Sequence, residues 1–294
     1  MAVVLEQSPA VRPRPQSRWL QAWRRYSRNY FAVAGLIWVI LFLLTGIIGP
    51  WIAPYGYADT DFLNVYQGPS WQHIMGTDNL GHDMFSQILW STRFAIEIAF
   101  GATLVSFVIG VILGLWAGLA GGITDMLIMR LVDFMYAFPS YFLNLILVVK
   151  FGRGLLPILF AIGITGWAGY ARLIRSLVLS LRNSDMVEAA RALGASPVHI
   201  ARKYVFPNVM TNMVVALAFG IPYDLTAQAA LSVVGLGPAP PMPSFGNLVA
   251  NANANILGYP WLLYFPAGIF ALTLLSFQFV ADGLQEALNP KGGN

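Results

Sequence analysis

Six apolar windows, each long enough to cross a lipid bilayer as a helix, constrain the fold of this chain more than any other feature. A membrane-spanning helix needs about 20 mostly apolar residues, and the windows that qualify are residues 30–53, 94–120, 125–149, 155–181, 208–235 and 261–283. Only 10% of the 294 residues are charged, against about 25% in soluble domains. The sequence therefore predicts an all-α, polytopic membrane protein with six transmembrane helices.

The positions of lysine and arginine set the predicted orientation of these helices. Six arginines precede the first window and six basic residues lie within 172–203, whereas residues 54–92 and 236–260 contain none. Basic residues stay on the cytoplasmic side of a membrane. We therefore expect both termini and the loop 182–207 to be cytoplasmic, and the loops 54–90 and 236–260 to be external. This distribution accounts for the net charge of +4 without a nucleic-acid partner.

The N-terminal tail allows two interpretations. Leu20, Trp23 and Tyr26 alternate with arginines, a pattern typical of a helix lying in the membrane interface. The alternative is a disordered basic tail that only fixes topology. The chain then divides into a cytoplasmic basic tail or interfacial helix (1–28), a first transmembrane helix (29–53), an external loop (54–90), a transmembrane core (91–284) and a cytoplasmic C-terminal tail (285–294).

The polar, Arg-rich segment 185–207 predicts a helical hairpin. Asp185 can cap a helix, and Glu188 can reach back to it in a variant of the capping box. Gly194 lies where a left-handed residue ends a helix. The surface of this first helix is small, because it carries three alanines: Ala189, Ala190 and Ala192.

The second half of the hairpin has its own start and stop signals. Ser196 can cap a second helix whose first position is Pro197, where the missing N–H has no cost. Pro207 is expected to break this helix and to begin the fifth span. A smooth helical knob of this kind fits the cleft of a partner protein, although an ordinary loop with helix-favouring alanines explains the same residues.

The spacing within this hairpin resembles the EAA signature of permease subunits of ATP-binding-cassette (ABC) importers. Glu188-Ala189-Ala190 is followed by Gly194 after three residues, and 12 residues separate Gly194 from Pro207. Similarity to C-type permeases of the dipeptide/oligopeptide/nickel group extends to four further segments: MGTDNLGHDMFSQILWSTRFAIEI (75–98), GLAGGITDMLIMRLVDFMYAFPS (118–140), ALSVVGLGPAPPMPSFGNLV (230–249) and WLLYFPAGIFALTLLSFQFVADGLQEALNPK (261–291).

This resemblance implies a type I ABC importer permease fold in the inner membrane of a bacterium or archaeon, and a peptide or a nickel chelate as solute. It implies four kinds of partner: a homologous B-type permease, two ABC ATPase subunits, an external solute-binding protein docking on the outer loops, and membrane lipid. The residues it assigns to ATPase coupling are Asp185, Glu188, Ala189, Ala190, Arg191, Gly194, Ala195, Ser196, Pro197 and Pro207. No phosphate-binding GxxxxGK[ST] loop occurs in the chain, so ATP and Mg would be bound by the ATPases.

Two further features allow alternative roles. Four glycines at spacing four (Gly110, Gly114, Gly118 and Gly122) suit close helix packing, with pore lining as the alternative. Asp224 and Gln228 are candidates for the translocation path, since intramembrane acids usually face a cavity or a partner. Pairing of Asp224 with Arg130, or with backbone near Pro222, is the other interpretation.

No catalytic or metal site is predicted. His73, His82 and His199 lack metal-ligand spacing, and the first two are expected on a solvated outer loop. The main alternative from another class is a self-sufficient secondary transporter or channel, which would show inverted repeats and a buried charge relay.

Overall fold

The computed structural model describes residues 18–182, 184–253 and 255–288, and most of these form helices. The α-helices in chain order are α1 (Arg18–Tyr26), α2 (Tyr30–Ile52), α3 (Met84–Ala120), α4 (Gly122–Ala137), α5 (Ser140–Phe151), α6 (Leu155–Arg182), α7 (Asp185–Ala192), α8 (Pro197–Ile200), α9 (Phe206–Leu231), α10 (Phe245–Asn253) and α11 (Trp261–Leu288). Two π-helical turns, Ala201–Val205 and Ser232–Leu236, flank α9. Within the described ranges no strand forms beyond one isolated bridge.

Five helical segments are long and apolar enough to cross a membrane, and a bent pair forms a sixth candidate span. The five are Tyr30–Ile52, Met84–Ala120, Leu155–Arg182, Val198–Leu236 and Trp261–Leu288. The all-helical prediction is therefore confirmed. α3 begins at Met84, so the last part of the loop predicted at 54–90 is helical.

The window 125–149 is not one helix, and this part of the prediction is wrong. α4 and α5 meet at 84°, and Phe138 between them has an extended backbone (φ −111°, ψ 136°). The residue before a proline is pushed out of the α region by the proline ring, and Pro139 follows Phe138 directly. The break turns α5 nearly perpendicular to α4.

A glycine face joins α3 to α6, the most extensive helix pair of the bundle. A Cβ atom built on Gly110 would lie 2.4 Å from the Tyr170 Cβ atom, and one on Gly118 would lie 2.7 Å from the Val178 Cβ atom. The same atom on Gly114 would meet the α6 backbone. Gly122 does not share this contact: it begins α4 with φ +56° and has open space around it.

The loop between α2 and α3 is folded around a buried histidine. His73 is 2% exposed, its Nδ1 lies 3.0 Å from the Asp83 Oδ1 atom, and its ring stacks on Tyr55. Asp83 also caps α3 by accepting a hydrogen bond from the Ser86 backbone N–H at 2.8 Å. His82 Nδ1 lies 2.8 Å from the Asp78 Oδ2 atom. The prediction of solvated histidines is therefore wrong for His73.

Candidate coupling site

The first helix of the hairpin, α7, is capped one residue earlier than predicted. Ser184 is the N-cap residue, with φ −79° and ψ 148°, and its carbonyl accepts from the Glu188 N–H at 3.0 Å. Asp185 is instead the first helical residue, so the predicted capping box does not form. Asp185 and Glu188 both lie in the first turn, where negative charge is favoured by the helix dipole.

A Schellman motif ends α7 at the predicted glycine. Gly194 has φ +78°, its N–H donates to the Arg191 carbonyl at 2.9 Å, and the Ala195 N–H donates to the Ala190 carbonyl at 3.0 Å. This pair of bonds satisfies the last carbonyls of a helix. The turn is therefore fixed by backbone geometry that a glycine adopts without strain.

The second half of the hairpin runs without interruption into the membrane-spanning helix α9. The Ser196 Oγ atom accepts a hydrogen bond from the His199 N–H at 3.3 Å, and α8 begins at Pro197. Pro207 does not break the helix, which corrects the prediction. A π-helical turn at Ala201–Val205 precedes it, and the wider turn accommodates the ring and the missing N–H of the proline.

The hairpin has one face inside the bundle and one face outside it. Buried apolar side chains from the hairpin pack against α6 and the first turns of α9 in one cluster: Ile174, Val178, Val187, Ala190, Ile200, Val205, Val209 and Met213. At the tip, Leu193 is 89% exposed and Val198 is 76% exposed. Two aliphatic side chains held in solvent on either side of a rigid turn define the candidate contact surface.

The predicted coupling residues divide between these two faces. The exposed members are Asp185, Glu188, Ala189, Arg191, Gly194, Ser196 and Pro207. Ala190 is buried in the chain's own core, so it cannot contact a partner directly, and Ala195 is half-buried. Pro197 begins α8, but its side chain lies outside the described part of the chain. The sequence analysis does not include Leu193 and Val198 among the candidate coupling residues, although Leu193 directly precedes Gly194 and Val198 directly follows Pro197.

The two candidates for the translocation path are buried. Asp224 is 3% exposed, and its Oδ2 atom accepts a hydrogen bond from the Thr103 Oγ1 atom at 2.6 Å. The predicted alternative partners, Arg130 and the local backbone, are thus replaced by a residue of α3. Gln228 is fully buried and donates to the Ser232 Oγ atom at 3.1 Å.

A cavity of about 690 Å³ lies between the α4–α5 bend, α6 and α9. Its lining is mostly apolar and includes aromatic rings and hydroxyl groups from Tyr136, Phe138, Ser140, Tyr170, Phe219 and Tyr223. A hydrogen bond of 3.1 Å joins Ser140 Oγ to Tyr223 Oη across it. Asp224 and Gln228 are not among the lining residues.

Two ion pairs join α4 to α6 between this cavity and the hairpin. Arg175 binds Asp125 through two hydrogen bonds, one from Nη2 to Oδ2 at 2.6 Å and one from Nε to Oδ1. Arg172 donates to the Asp133 Oδ1 atom at 2.8 Å. Bidentate pairing of arginine with a carboxylate is strong and directional. Among the described residues no cluster of three metal-binding side chains occurs.

A bundle with this many apolar helices, an open cavity between them and a projecting helical hairpin has the architecture of a membrane transport subunit. Residues 110–292 match the family described as "Binding-protein-dependent transport system inner membrane component", and residues 17–69 match the "N-terminal TM domain of oligopeptide transport permease C". The chain belongs to the family of binding-protein-dependent transport system inner membrane components. It is a multi-pass permease subunit of an ABC importer.

Individual relatives are similar along almost their whole length. The chain is 38% identical to the oligopeptide transport system permease protein OppC of Bacillus subtilis (strain 168), covering 94% of this chain and 90% of that protein. It is 36% identical to the dipeptide transport system permease protein DppC of the same organism, covering 95% and 88%. It is also 36% identical to the glutathione transport system permease protein GsiD of Escherichia coli O157:H7, covering 98% and 96%.

The fold agrees with that of a solved ABC transporter. An inward-facing conformation of the MetNI methionine ABC transporter aligns with 70% of this chain and 98% of its own chain, with a TM-score of 0.59 and 19% identity. At this identity the likeness shows the fold alone. It confirms the predicted type I ABC importer permease fold.

Proposed function

We propose that this permease forms half of a path for peptides across the inner membrane and is driven by separate ATPases that bind its hairpin. The solute class is supported by relatives named for oligopeptide, dipeptide and glutathione transport, since all three solutes are chains of amide-linked amino acids. The cavity supports the same class, because hydroxyl groups and aromatic faces accommodate peptide groups without demanding one side chain.

The assembly in this proposal contains a homologous B-type permease, two ATPase subunits that use ATP and Mg, and an external solute-binding protein. The N- and C-terminal tails (1–28 and 285–294) and the coupling loop 182–207 are cytoplasmic. Residues 29–53 form the first span, 54–90 the external loop and 91–284 the transmembrane core. Solute passes the cavity, and Asp224 and Gln228 are buried residues of α9, the helix that carries the lining residue Tyr223.

The exposed tip of the hairpin is the observation that carries the coupling proposal. Leu193 is 89% exposed, although it follows a helix whose other face is packed into the core. Fully burying a leucine side chain stabilises a contact by about 1.5–3 kcal/mol. Seating this tip in an ATPase cleft would therefore provide roughly a ten-fold to hundred-fold gain in affinity from one residue.

Substitution of this leucine tests the proposal. In the importer reconstituted with its ATPases and partner permease, we expect Leu193→Asp to lose ATPase co-purification and ATP-driven peptide uptake. The matched control is Leu257→Asp, because Leu257 is 99% exposed in a segment expected on the external side. Equal ATPase binding by both variants would contradict the coupling role. ATP-independent peptide uptake by the chain alone would instead indicate a secondary transporter.

A further inference from the structure

One face of α9 carries a glycine and two polar residues at spacing four: Gly220, Asp224 and Gln228. Residues four apart lie on the same face of an α-helix. Gly220 lines the cavity, whereas Asp224 is 3% exposed and Gln228 is fully buried. This face of α9 therefore runs from the cavity lining into a buried polar region.

The Tyr170 side chain of α6 lines the same cavity, and its hydroxyl lies against Gly220. A Cβ atom built on Gly220 would collide with the Tyr170 Oη atom and would lie 3.2 Å from the Thr103 Cγ2 atom. Thr103 in turn donates a hydrogen bond to the Asp224 Oδ2 atom at 2.6 Å. Because Gly220 has no side chain, the Tyr170 hydroxyl can approach this hydrogen-bonded pair.

Two buried oxygen atoms here, Tyr170 Oη and Gln228 Oε1, have no hydrogen-bond partner among the described residues. The amide nitrogen of Gln228 is already used, since it donates to the Ser232 Oγ atom at 3.1 Å. Within the described part of the chain Asp224 forms no ion pair. Unpaired buried acceptors and a buried carboxylate without a cation are both unfavourable. A positively charged group with several N–H donors would satisfy all three side chains.

We propose that Tyr170, Asp224 and Gln228 form a site that binds the primary ammonium group of a transported peptide. An ammonium carries one positive charge and three N–H donors, which match one carboxylate and two unpaired oxygen atoms. The inference rests on the proposed function, because it takes the cavity to be the path of the solute. Tyr170 belongs both to the cavity lining and to the site, so a movement of its side chain admits the ammonium from the cavity.

Equilibrium binding of two peptides tests the site. The full-length chain is assembled with its partner permease and ATPases in nanodiscs, without the external binding protein, so selection by that protein does not enter the measurement. Binding of trialanine is compared with binding of N-acetyl-trialanine, which lacks the ammonium. We expect the wild type to bind trialanine about ten-fold more tightly, since only trialanine forms hydrogen bonds between charged groups at the site.

Three variants locate the effect. Asp224→Asn removes the charge but keeps the size of the side chain and an oxygen that can accept from Thr103. It should bind trialanine about ten-fold more weakly than the wild type and N-acetyl-trialanine equally well. Asp282→Asn is the matched control, because it makes the same change at an exposed carboxylate of α11, and it should bind both peptides as the wild type does. Tyr170→Phe removes one acceptor without a change of charge and should weaken trialanine binding about three-fold, which keeps the proposal testable if Asp224→Asn fails to assemble.

The inference is overturned if the wild type binds the two peptides equally or binds neither. It is also overturned if Asp224→Asn weakens both peptides to the same extent, or if Asp224→Asn and Tyr170→Phe both bind as the wild type does. N-acetyl-Ala-Lys-Ala identifies the source of the ammonium. Binding as tight as that of trialanine, and weakened by Asp224→Asn, would assign the site to lysine side chains, whereas weak binding would assign it to the amino terminus.

ATP-driven uptake tests the proposed function separately. Uptake of trialanine is measured in proteoliposomes that contain the same complex together with its external binding protein. Absence of uptake by the wild type would overturn the proposed function. Uptake by the wild type together with equal binding of trialanine and N-acetyl-trialanine would overturn the ammonium site alone.

Discussion

The glycine contact between α3 and α6 makes a quantitative prediction for Gly114→Ala. The new Cβ atom would lie 2.6 Å from the Ala171 carbonyl oxygen and 3.0 Å from the Ile174 Cβ atom, whereas ordinary contacts begin at 3.4 Å. The two helices must therefore separate by about 0.8 Å along this seam. A gap of that size forfeits a quarter to a half of each dispersion contact, and overpacking of this kind costs about 1–3 kcal/mol.

A second glycine isolates the packing cost from the effect of alanine on the helix itself. Gly268 lies within α11 and has no neighbouring atom within 4 Å of a built Cβ. Gly268→Ala therefore brings only the gain in helix propensity, up to about 1 kcal/mol. The same gain applies to Gly114→Ala, so the difference between the two variants reports the packing cost alone.

Denaturant unfolding of the purified full-length chain in mixed micelles measures this difference. We expect the free energy of unfolding of Gly114→Ala to lie about 1–3 kcal/mol below that of Gly268→Ala. If Gly114→Ala is as stable as Gly268→Ala, α3 and α6 can separate without loss of stability, and these glycines do not hold the two helices together.

Two polar contacts between helices give further predictions in the same assay. Thr103→Val leaves the buried Asp224 carboxyl without its described hydrogen bond and should lower the free energy of unfolding by about 1–3 kcal/mol. Thr103→Ser keeps the hydroxyl and should not lower it. Equal free energies of unfolding for the two variants would show that the hydrogen bond is dispensable. Arg175→Gln breaks the bidentate pair with Asp125 and should cost about 1–3 kcal/mol. Arg93→Gln breaks only an exposed pair on one helix and should cost less than about 1 kcal/mol, so similar losses in both arginine variants would contradict the reasoning.

Hydropathy predicts the spans well because it depends on each segment alone. The first window was expected at 30–53, and α2 occupies Tyr30–Ile52. In this stretch an uncharged apolar run is bounded by Tyr30 and Trp51, and nothing elsewhere in the chain is needed to make it a helix. The left-handed Gly194 was predictable for the same reason, since the signals for a Schellman motif lie within a few residues.

Proline positions show where local reasoning becomes insufficient. Pro139 breaks a span, whereas Pro222 and Pro266 lie inside continuous helices. The proline ring permits a break in all three cases, so the outcome depends on whether other contacts favour the bent chain. At Pro139 the bend lets Ser140 bond Tyr223, 83 residues away, a contact that no local pattern contains.

The environment of Asp224 was beyond prediction for a related reason. Its partner Thr103 is 121 residues away, and threonines are too common in membrane helices for one to be selected from sequence. Arginine was the more obvious partner on charge alone, but Arg172 and Arg175 of α6 pair with the carboxylates of α4. Correct pairing therefore requires the packing of α3, α4, α6 and α9 to be known first.

The way the hairpin is built into the bundle determines how it can move. It follows α6 with only Asn183 and Ser184 between them, and it enters α9 through a continuous π-helical turn. Its buried side chains share one apolar cluster with both helices, and withdrawing even one such side chain from that cluster costs about 1.5–3 kcal/mol. A force on the exposed tip is therefore cheaper to accommodate by tilting α6 and α9 with the hairpin than by detaching it. Because the cavity lies between these same two helices and the α4–α5 bend, any change in their separation must change the shape of the cavity.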